Sequence, residues 1–195
     1  MKSRRYLWPA AAVLVALLLG ACTGSPKEPL QYDAASWPAT LERIALVELS
    51  YDRRYRPPPD IDLSDELRRA LKKELERKGY QLLIADGGDK IYSGETSASE
   101  LAELAPAESD AALAVHIDLL FLSATFFERN PPPQAEIAGE ARLIDKQNGS
   151  ELWKGRGDGV AGGAGDGPLF YPTARRLEAL ADFASGLFHT LPDRR

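Results

Sequence analysis

The stretch Arg43-Ile-Ala-Leu-Val-Glu-Leu49 decides the fold. It is a short, nearly continuous apolar run of the kind found in a strand that is buried on both faces. After a loop, a helical pattern places one apolar stripe on Leu63, Leu67, Ala70, Leu71 and Leu75. Gly79 follows this helix as a stop, and Tyr80 to Ala85 is a second short apolar run. Arg43 to Ala85 therefore predicts a β-α-β unit with parallel strands.

The same helix carries polar signals at its start and on its outer face. Ser64 is positioned to cap the N-terminus, where a side-chain oxygen can accept from a backbone N–H. Asp65 and Arg69 are spaced at i,i+4, as are Glu74 and Lys78. This spacing predicts two ion pairs on the solvent side of the helix.

Shorter elements follow the β-α-β unit. Asp86 to Ser93 has the composition of a Gly-Gly turn region. Ser97-Ala-Ser-Glu100 has the spacing of a capping box, and Pro106 stops the short helix that it begins. Ala111 to Phe127 is apolar but too long for one straight strand in a small domain, so we expect a bulge or bend near Ser123.

The next segments predict an antiparallel meander. Gln134 to Lys146 alternates between polar and apolar residues, which indicates a strand with one wet face. Asp145-Lys-Gln-Asn-Gly149 is a hairpin turn signal, and Glu151 to Lys154 returns as the next strand. Gly155 to Gly167 contains seven glycines and is predicted to be a flexible loop, since it lacks the lysine and helix of a phosphate-binding loop.

A final helix completes the fold. Thr173 is expected to cap it, and Leu191-Pro192 ends it. Its predicted apolar stripe consists of Leu177, Leu180, Ala181, Ala184, Leu187 and Phe188. That stripe should close over one face of the sheet. The fold class is therefore an α/β (α+β) sandwich, with a mixed sheet of about five strands and two to three helices.

The N-terminus has the layout of an export signal. Lys2, Arg4 and Arg5 form a basic start, and Leu7 to Leu19 is an apolar run. A membrane-spanning helix needs roughly 20 apolar residues, so this run is too short to be a permanent span. We interpret residues 1–21 as a signal peptide.

The tetrad Leu19-Gly20-Ala21-Cys22 resembles the bacterial lipobox, with small residues before the cut that fit a peptidase cleft. The resemblance implies that the Cys22 thiol receives a diacylglycerol, that signal peptidase cleaves before it, and that an amide-linked acyl chain follows. Several chains give stable anchoring, whereas one gives only reversible binding. Thr23 stands where an aspartate often signals inner-membrane retention, which favours the outer membrane. An ordinary secretory signal with a chance cysteine is the alternative.

The mature chain divides into a tether and one domain. Residues 22–36 are rich in Gly, Pro, Ser and charge and are read as a lipidated flexible tether, and residues 37–195 as a single α/β domain. Removal of the leader leaves 21 Lys+Arg against 29 Asp+Glu. This acidity argues against nucleic acid or anionic lipid headgroups as partners.

One aromatic and basic loop is a candidate partner-binding surface. It contains Tyr51, Arg53, Arg54, Tyr55 and Arg56, and it is followed by three prolines that stiffen it towards polyproline II. An exposed aromatic and basic loop on an acidic domain is a plausible contact for another protein. The alternative is a solvated loop without a binding role.

No catalytic or metal-binding set is specified. His116 and His189 are the only histidines and lie in different elements, whereas a metal site needs three or four converging ligands. We interpret His116 as a satisfied core or edge residue and Trp153 as a core-filling strand residue. No Gly-x-Ser-x-Gly elbow is present. We therefore expect no enzyme activity, and no cofactor other than the covalent lipid on Cys22.

The predicted elements come in the order strand, helix ending Lys-Gly-Tyr80, strand and short helix. Two segments follow them, Ser109-Asp-Ala-Ala-Leu-Ala-Val-His-Ile117 and Ala141-Arg-Leu-Ile-Asp-Lys-Gln-Asn-Gly-Ser-Glu-Leu-Trp153. This order and these segments resemble those of a group of envelope lipoproteins. This group includes the curli-secretion lipoprotein CsgG and the TolB amino-terminal domain. The resemblance covers roughly Glu42 to Trp153. It implies an α/β sandwich and a role in envelope assembly or export, without enzymatic chemistry.

The expected function is that of an outer-membrane-anchored, periplasm-facing accessory lipoprotein that docks another envelope protein through a sheet edge or the Tyr/Arg/Pro loop. A CsgG-like oligomeric channel is one alternative, in which Asp118 to Phe127 and Gln134 to Leu143 would supply a membrane hairpin. An auxiliary lipoprotein of a lipid or solute ABC transporter is another. Besides the membrane lipid and an envelope protein, a second copy of the chain is a candidate partner, and the channel alternative requires such a homo-oligomer.

Overall fold

The computed structural model describes residues 37–54, 62–85, 89–91, 94–122, 135–162 and 172–194, with residues 89–91 described by their backbone. The predicted signal peptide, Cys22 and the tether lie outside the described residues, as do Tyr55 and Arg56. Among the helices within these ranges, none has both the length and the hydropathy of a membrane span.

Six strands and three helices make up the described fold. The strands are β1 (Arg43–Tyr51), β2 (Gln81–Ile84), β3 (Asp89–Ile91), β4 (Ala111–Leu122), β5 (Ala135–Asp145) and β6 (Glu151–Ala161). The helices are α1 (Leu63–Arg77), α2 (Ala98–Leu104) and α3 (Pro172–Leu187).

The strands form one mixed sheet in the order β2-β1-β4-β5-β6, and β3 also pairs with β1. β1 runs parallel to β2, β3 and β4, whereas β4, β5 and β6 are antiparallel. The predicted β-α-β unit and meander are confirmed. The predicted turn region Asp86 to Ser93 needs correction, because β3 lies within it and extends the parallel pairing along β1.

Helices cover the sheet on both faces. α1 and α3 pack with the larger core on one face, and this core contains the α1 leucines at 63, 67, 71 and 75 together with the fully buried Trp153. α2 packs on the other face with a smaller core built from Ala45, Val47, Leu101, Ala112 and Ile144. The predicted sandwich and the core role of Trp153 are thus confirmed.

The start of α1 differs from the prediction. Asp62, and not Ser64, is the N-cap, since its side chain accepts from the Asp65 backbone N–H at 3.3 Å. Ser64 lies one residue inside the helix, where its hydroxyl hydrogen-bonds the Tyr51 hydroxyl at 3.1 Å. Gly79 ends the helical segment with a φ of 90°, as predicted.

The charged pairs of α1 differ from the two predicted ones, and its i,i+4 pair is Lys72 with Glu76 at 3.8 Å. Arg68 pairs with Asp65 at 3.1 Å and Arg77 with Glu74 at 2.5 Å, both at i,i+3. Lys78 does not pair with Glu74. Its side chain is buried and bonds instead to the C-terminal segment.

The predicted flexible loop Gly155 to Gly167 is wrong in its first half. Residues 155–161 continue β6, and Gly155, Gly157 and Gly159 alternate on the face that lies under α3. A Cβ at Gly157 would stand 2.7 Å from the Leu187 Cα, so only glycine lets the helix come this close. The glycines here therefore serve packing.

α3 is rotated relative to the predicted stripe. It begins at Pro172, so Thr173 lies within its first turn and does not precede it. Leu180, Ala184, Leu187 and Phe188 are buried as predicted, whereas Leu177 and Ala181 are exposed, and the remaining buried positions are Ala179 and Phe183. The glycine row explains the difference, because Ala179 and Phe183 sit against Gly157 and Gly159.

Other local predictions are confirmed. Ser97 and Glu100 form the capping box of α2, and Gly149 turns the β5-β6 hairpin with a φ of 69°. The expected bulge in β4 is present, but it lies between Ile117 and Leu119. The position near Ser123 falls outside the described residues.

Candidate functional site

One half of a sheet face has no helix over it among the described residues. α2 covers the beginning of β4 and the facing parts of β1 and β5. Beyond α2, the same face carries a group of polar side chains, and further along it the exposed apolar side chains of Phe121 and Val160. We call six of these polar residues the polar face: Ser50, His116, Asp118, Glu140, Lys154 and Arg156.

Strand register brings four of these residues into one row. Ser50 pairs with His116, His116 with Glu140, and Glu140 with Arg156, so the row crosses β1, β4, β5 and β6. Because side chains alternate along a strand, residues in register on neighbouring strands share a face. The row is therefore built by the topology and not by any contiguous motif.

The β1 end of the row is a hydrogen-bonded pair. The Ser50 hydroxyl lies 3.2 Å from His116 Nδ1. Ser50 is only 2% exposed, so its oxygen is not open to a substrate. His116 is hydrogen-bonded as predicted, but it lies half-buried on the central strand β4 and not in the core or at a sheet edge. The arrangement orients an imidazole; it does not present an accessible nucleophile.

Two ion pairs connect members of the row to the polar-face residues beside it. Lys154 Nζ lies 3.3 Å from Glu140 Oε2, and Arg156 Nη2 lies 2.6 Å from Asp118 Oδ2. Asp118 is the extra residue of the β4 bulge, and bulges commonly re-aim a side chain. The Arg156 side chain is 64% exposed. The polar face thus presents balanced, fixed charges to solvent.

The predicted loop set is divided by the fold. Tyr51 does not belong to a surface loop, because it is the last residue of β1 and is 3% exposed. Arg53 and Arg54 are exposed just beyond the strand. Arg54 donates to the Asp52 carboxylate, and this hydrogen bond, with a smaller contribution from nearby His116, holds the pKa of Asp52 below its ordinary value. The arginine end of the loop therefore lies next to the polar face.

A buried carboxylate lies on the same face of the sheet as Ser50, two residues earlier in β1 and in register with Ala114. Glu48 is 7% exposed, and Thr96 donates its hydroxyl hydrogen to Glu48 Oε2 at 2.6 Å. A shallow cleft with room for about one water molecule adjoins it, lined in part by Arg68 and Ile84. The cleft is too small for an organic substrate.

The two histidines belong to different parts of the fold, as predicted. Within the described ranges, no three His, Cys, Asp or Glu side chains converge as metal ligands. His189 is exposed just after α3, which packs on the opposite face of the sheet from His116. The sequence analysis did not group Asp118, Glu140, Lys154 and Arg156, because it predicted a loop beyond Lys154 where β6 continues. The alternation of glycine with polar residues from 155 to 159 was the pattern that could have indicated this strand.

Comparisons with known proteins identify no family. No family model matches the chain, and no curated protein matches it. Three solved structures illustrate its likeness in fold. A lipoprotein of Neisseria meningitidis is 17% identical with a TM-score of 0.43, and the match covers 66% of this chain and 88% of that one. The PelC dodecamer of Paraburkholderia phytofirmans is 16% identical with a TM-score of 0.45, and the match covers 77% of this chain and 90% of that one. A minor lipoprotein of Acinetobacter baumannii is 10% identical with a TM-score of 0.38, and the match covers 81% of this chain and 99% of that one. At these values, the likeness assigns neither family nor function.

Proposed function

We propose that this chain is a lipoprotein anchored in the outer membrane through Cys22, which faces the periplasm and binds another envelope protein without enzymatic activity. The observation that carries the proposal is the tetrad Leu19-Gly20-Ala21-Cys22 at the end of a short apolar leader. Lipid at this position would restrict the domain to the membrane surface. Its partners would then be components of the same envelope.

The polar face is the surface that we assign to the partner. Its charges form complementary pairs in fixed positions, and such an arrangement favours one orientation of a protein partner. A polyanion would instead require clustered positive charge, which the paired Lys154 and Arg156 do not provide. Arg53 and Arg54, at the end of β1, extend the same surface.

The absence of catalysis is part of the proposal, and two features support it. Ser50, the hydroxyl next to His116, is almost completely buried. The cleft beside Glu48 has no room for an organic substrate. An accessory role needs only a stable surface, and the sheet provides one.

The anchor is tested by fractionation of the envelope. The native chain should be found with the outer membrane, and Cys22→Ala should appear in the soluble periplasmic fraction or retain its leader. Thr23→Asp, which keeps Cys22 and its lipid, should move the protein towards the inner membrane. Mass spectrometry that finds an unmodified Cys22 in the native protein would overturn the anchor.

The binding surface is tested by site-specific photo-crosslinking in intact cells. A photoreactive residue at Ala138, which lies two residues from Glu140 on the same face of β5, should give a discrete adduct with a second protein. The matched control is the same residue at Lys72, on the solvent side of α1. An adduct at Lys72 with none at Ala138 would place the partner on the opposite side of the domain and contradict the assignment.

A further inference from the structure

One long strand edge has no partner in the described part of the chain. β6 spans Glu151–Ala161 and pairs on one side with β5. Its other side presents a row of backbone N–H and C=O groups, which is a template for pairing with another strand. On the outward face, the strand carries only four side chains between residues 154 and 160: Lys154, Arg156, Asp158 and Val160.

We propose that β6 pairs antiparallel with β6 of a second copy of this chain, around a two-fold axis at Gly157. The two sheets then continue into one another across the dimer. An isologous contact of this kind is self-complementary, since each residue meets its counterpart from the other side of the axis.

The charges of β6 select this register. With the axis at Gly157, Arg156 of each copy stands opposite Asp158 of the other, which gives two cross-strand ion pairs. A shift of the axis to Arg156 also pairs Lys154 with Asp158 but places the two arginines opposite each other, and a shift to Asp158 places the two aspartates opposite each other. Like charges directly opposite are destabilising.

The remaining positions fit the same register. With the axis at Gly157, Lys154 stands opposite Val160 of the second copy, where its aliphatic stem can cover a side chain that is 51% exposed. On the inner face, Gly155 meets Gly159 of the second copy and Gly157 meets its own equivalent. No side chain on this face obstructs the approach of the two backbones. Since α3 lies over β6, the two copies of α3 come side by side above the joined sheet.

The dimer should be weak in solution and stronger on a membrane. A single strand pairing is a small interface, and small interfaces give transient complexes. Lipid anchoring confines both copies to one surface and raises their effective concentration. The pairing engages Lys154 and Arg156, the two polar-face residues on β6, and leaves Ser50, His116, Asp118 and Glu140 on the inner strands accessible.

A charge swap tests the register with the full lipidated chain in detergent. Arg156→Asp and Asp158→Arg each place two pairs of like charges opposite each other, and each should weaken dimerisation, measured by sedimentation velocity, by about tenfold or more. The double variant Arg156→Asp/Asp158→Arg restores opposite charges and should return the dissociation constant to about the native value. Asp118→Asn is the control, since it removes the intramolecular partner of Arg156 but leaves β6 unchanged.

Several outcomes would overturn the proposal. These are a native chain that stays monomeric up to the highest accessible concentration, single variants that dimerise as well as the native chain, or a double variant that fails to recover while its circular dichroism is native. A larger oligomer that is insensitive to both reversals would place self-association on another surface. The crosslinking at Ala138 reports separately on the partner, so either proposal can fail alone.

Discussion

Lys78 and Asp193 join the end of α1 to the end of the described chain. The Lys78 ammonium is 2.9 Å from Asp193 Oδ1, and it also donates to the Leu191 carbonyl oxygen at 2.7 Å. The Tyr80 hydroxyl donates to the Pro192 carbonyl oxygen at 2.8 Å. The hydrogen bond from Lys78 is the main reason that the pKa of Asp193 lies below its ordinary value. A buried lysine thus fixes the segment that follows α3.

Lys78→Met should destabilise the fold by about 1–3 kcal/mol, because it leaves the Leu191 carbonyl oxygen without its charged donor. The measurement is urea unfolding followed by circular dichroism. Lys72→Met is the matched control on the same helix, since Lys72 is half exposed and its pairing with Glu76 is at 3.8 Å. It should change the unfolding free energy by less than about 0.5 kcal/mol. Equal effects of the two variants would show that Lys78 does not anchor the C-terminal segment.

Gly157→Ala should separate α3 from the sheet. The new Cβ would stand 2.7 Å from the Leu187 Cα and 2.8 Å from the Phe183 carbonyl oxygen, and both are backbone atoms that cannot rotate away. We expect a loss of about 3 kcal/mol or more in unfolding free energy. Glu136→Ala, on the exposed face of the neighbouring β5, is the control and should stay within about 0.5 kcal/mol. A Gly157→Ala protein of native stability would rule out close packing as the reason for the glycine.

The sequence predicted those elements whose local signals and packing agree. The leucine stripe of α1, the Ser97 capping box and the Asn-Gly turn are all present in the structure. In each case, the residues that form the element lie close together in the chain. The alternation of β5 likewise predicted which of its side chains are buried.

The errors arose where a distant element decides the conformation. Seven glycines between 155 and 167 indicate flexibility when read locally, yet the first three of them are held in β6 because α3 needs the space above them. Lys78 looked like a partner for Glu74, but its actual partners lie more than a hundred residues away. The polar face was missed for the same reason, since register across four strands is not visible in any single segment.

The Glu66 and Arg176 pair links α1 to α3 and should contribute measurably to stability. Arg176 Nε and Nη2 donate to the two carboxylate oxygens at 2.5 and 2.8 Å, and both side chains are less than 15% exposed. Arg176→Ala leaves Glu66 partly buried without this partner and should cost about 2–3 kcal/mol. Glu178→Ala is the control, since this carboxylate is 56% exposed and its ion pair with Arg175, at 3.4 Å, lies within the same helix.

A double-mutant cycle separates this coupling from side-chain packing. With Glu66→Gln and Arg176→Ala measured singly and together, the interaction energy should be about 1–3 kcal/mol. Thermal unfolding of the four proteins at one ionic strength provides the data. An interaction energy of zero would mean that the two helices are held by their apolar contacts alone.

Asp110 should make the stability of the domain fall in acid. Burial raises the pKa of this carboxyl, but hydrogen bonds from the Arg43 and Glu42 backbone N–H groups and from the Arg43 guanidinium outweigh it, so the pKa lies below the ordinary 3.8. The unfolded chain therefore takes up a proton at higher pH than the folded one. The contribution is fully present well above pH 3.8 and is lost as the pH falls through the lowered pKa.

Asp110→Asn tests this origin of the acid sensitivity. The native unfolding free energy should decrease from about pH 5 downwards, and the variant should be less stable than the native chain at pH 6 but show a smaller decrease. Urea unfolding at a series of pH values gives both slopes. The difference between the unfolding free energies of the native chain and the variant at each pH gives the contribution of Asp110. It excludes the contributions of Asp52 and Asp193, whose pKa values are also lowered. If the two proteins lose stability in parallel as the pH falls, then other carboxylates account for the acid response, and the hydrogen bonds at the start of β1 contribute nothing to it.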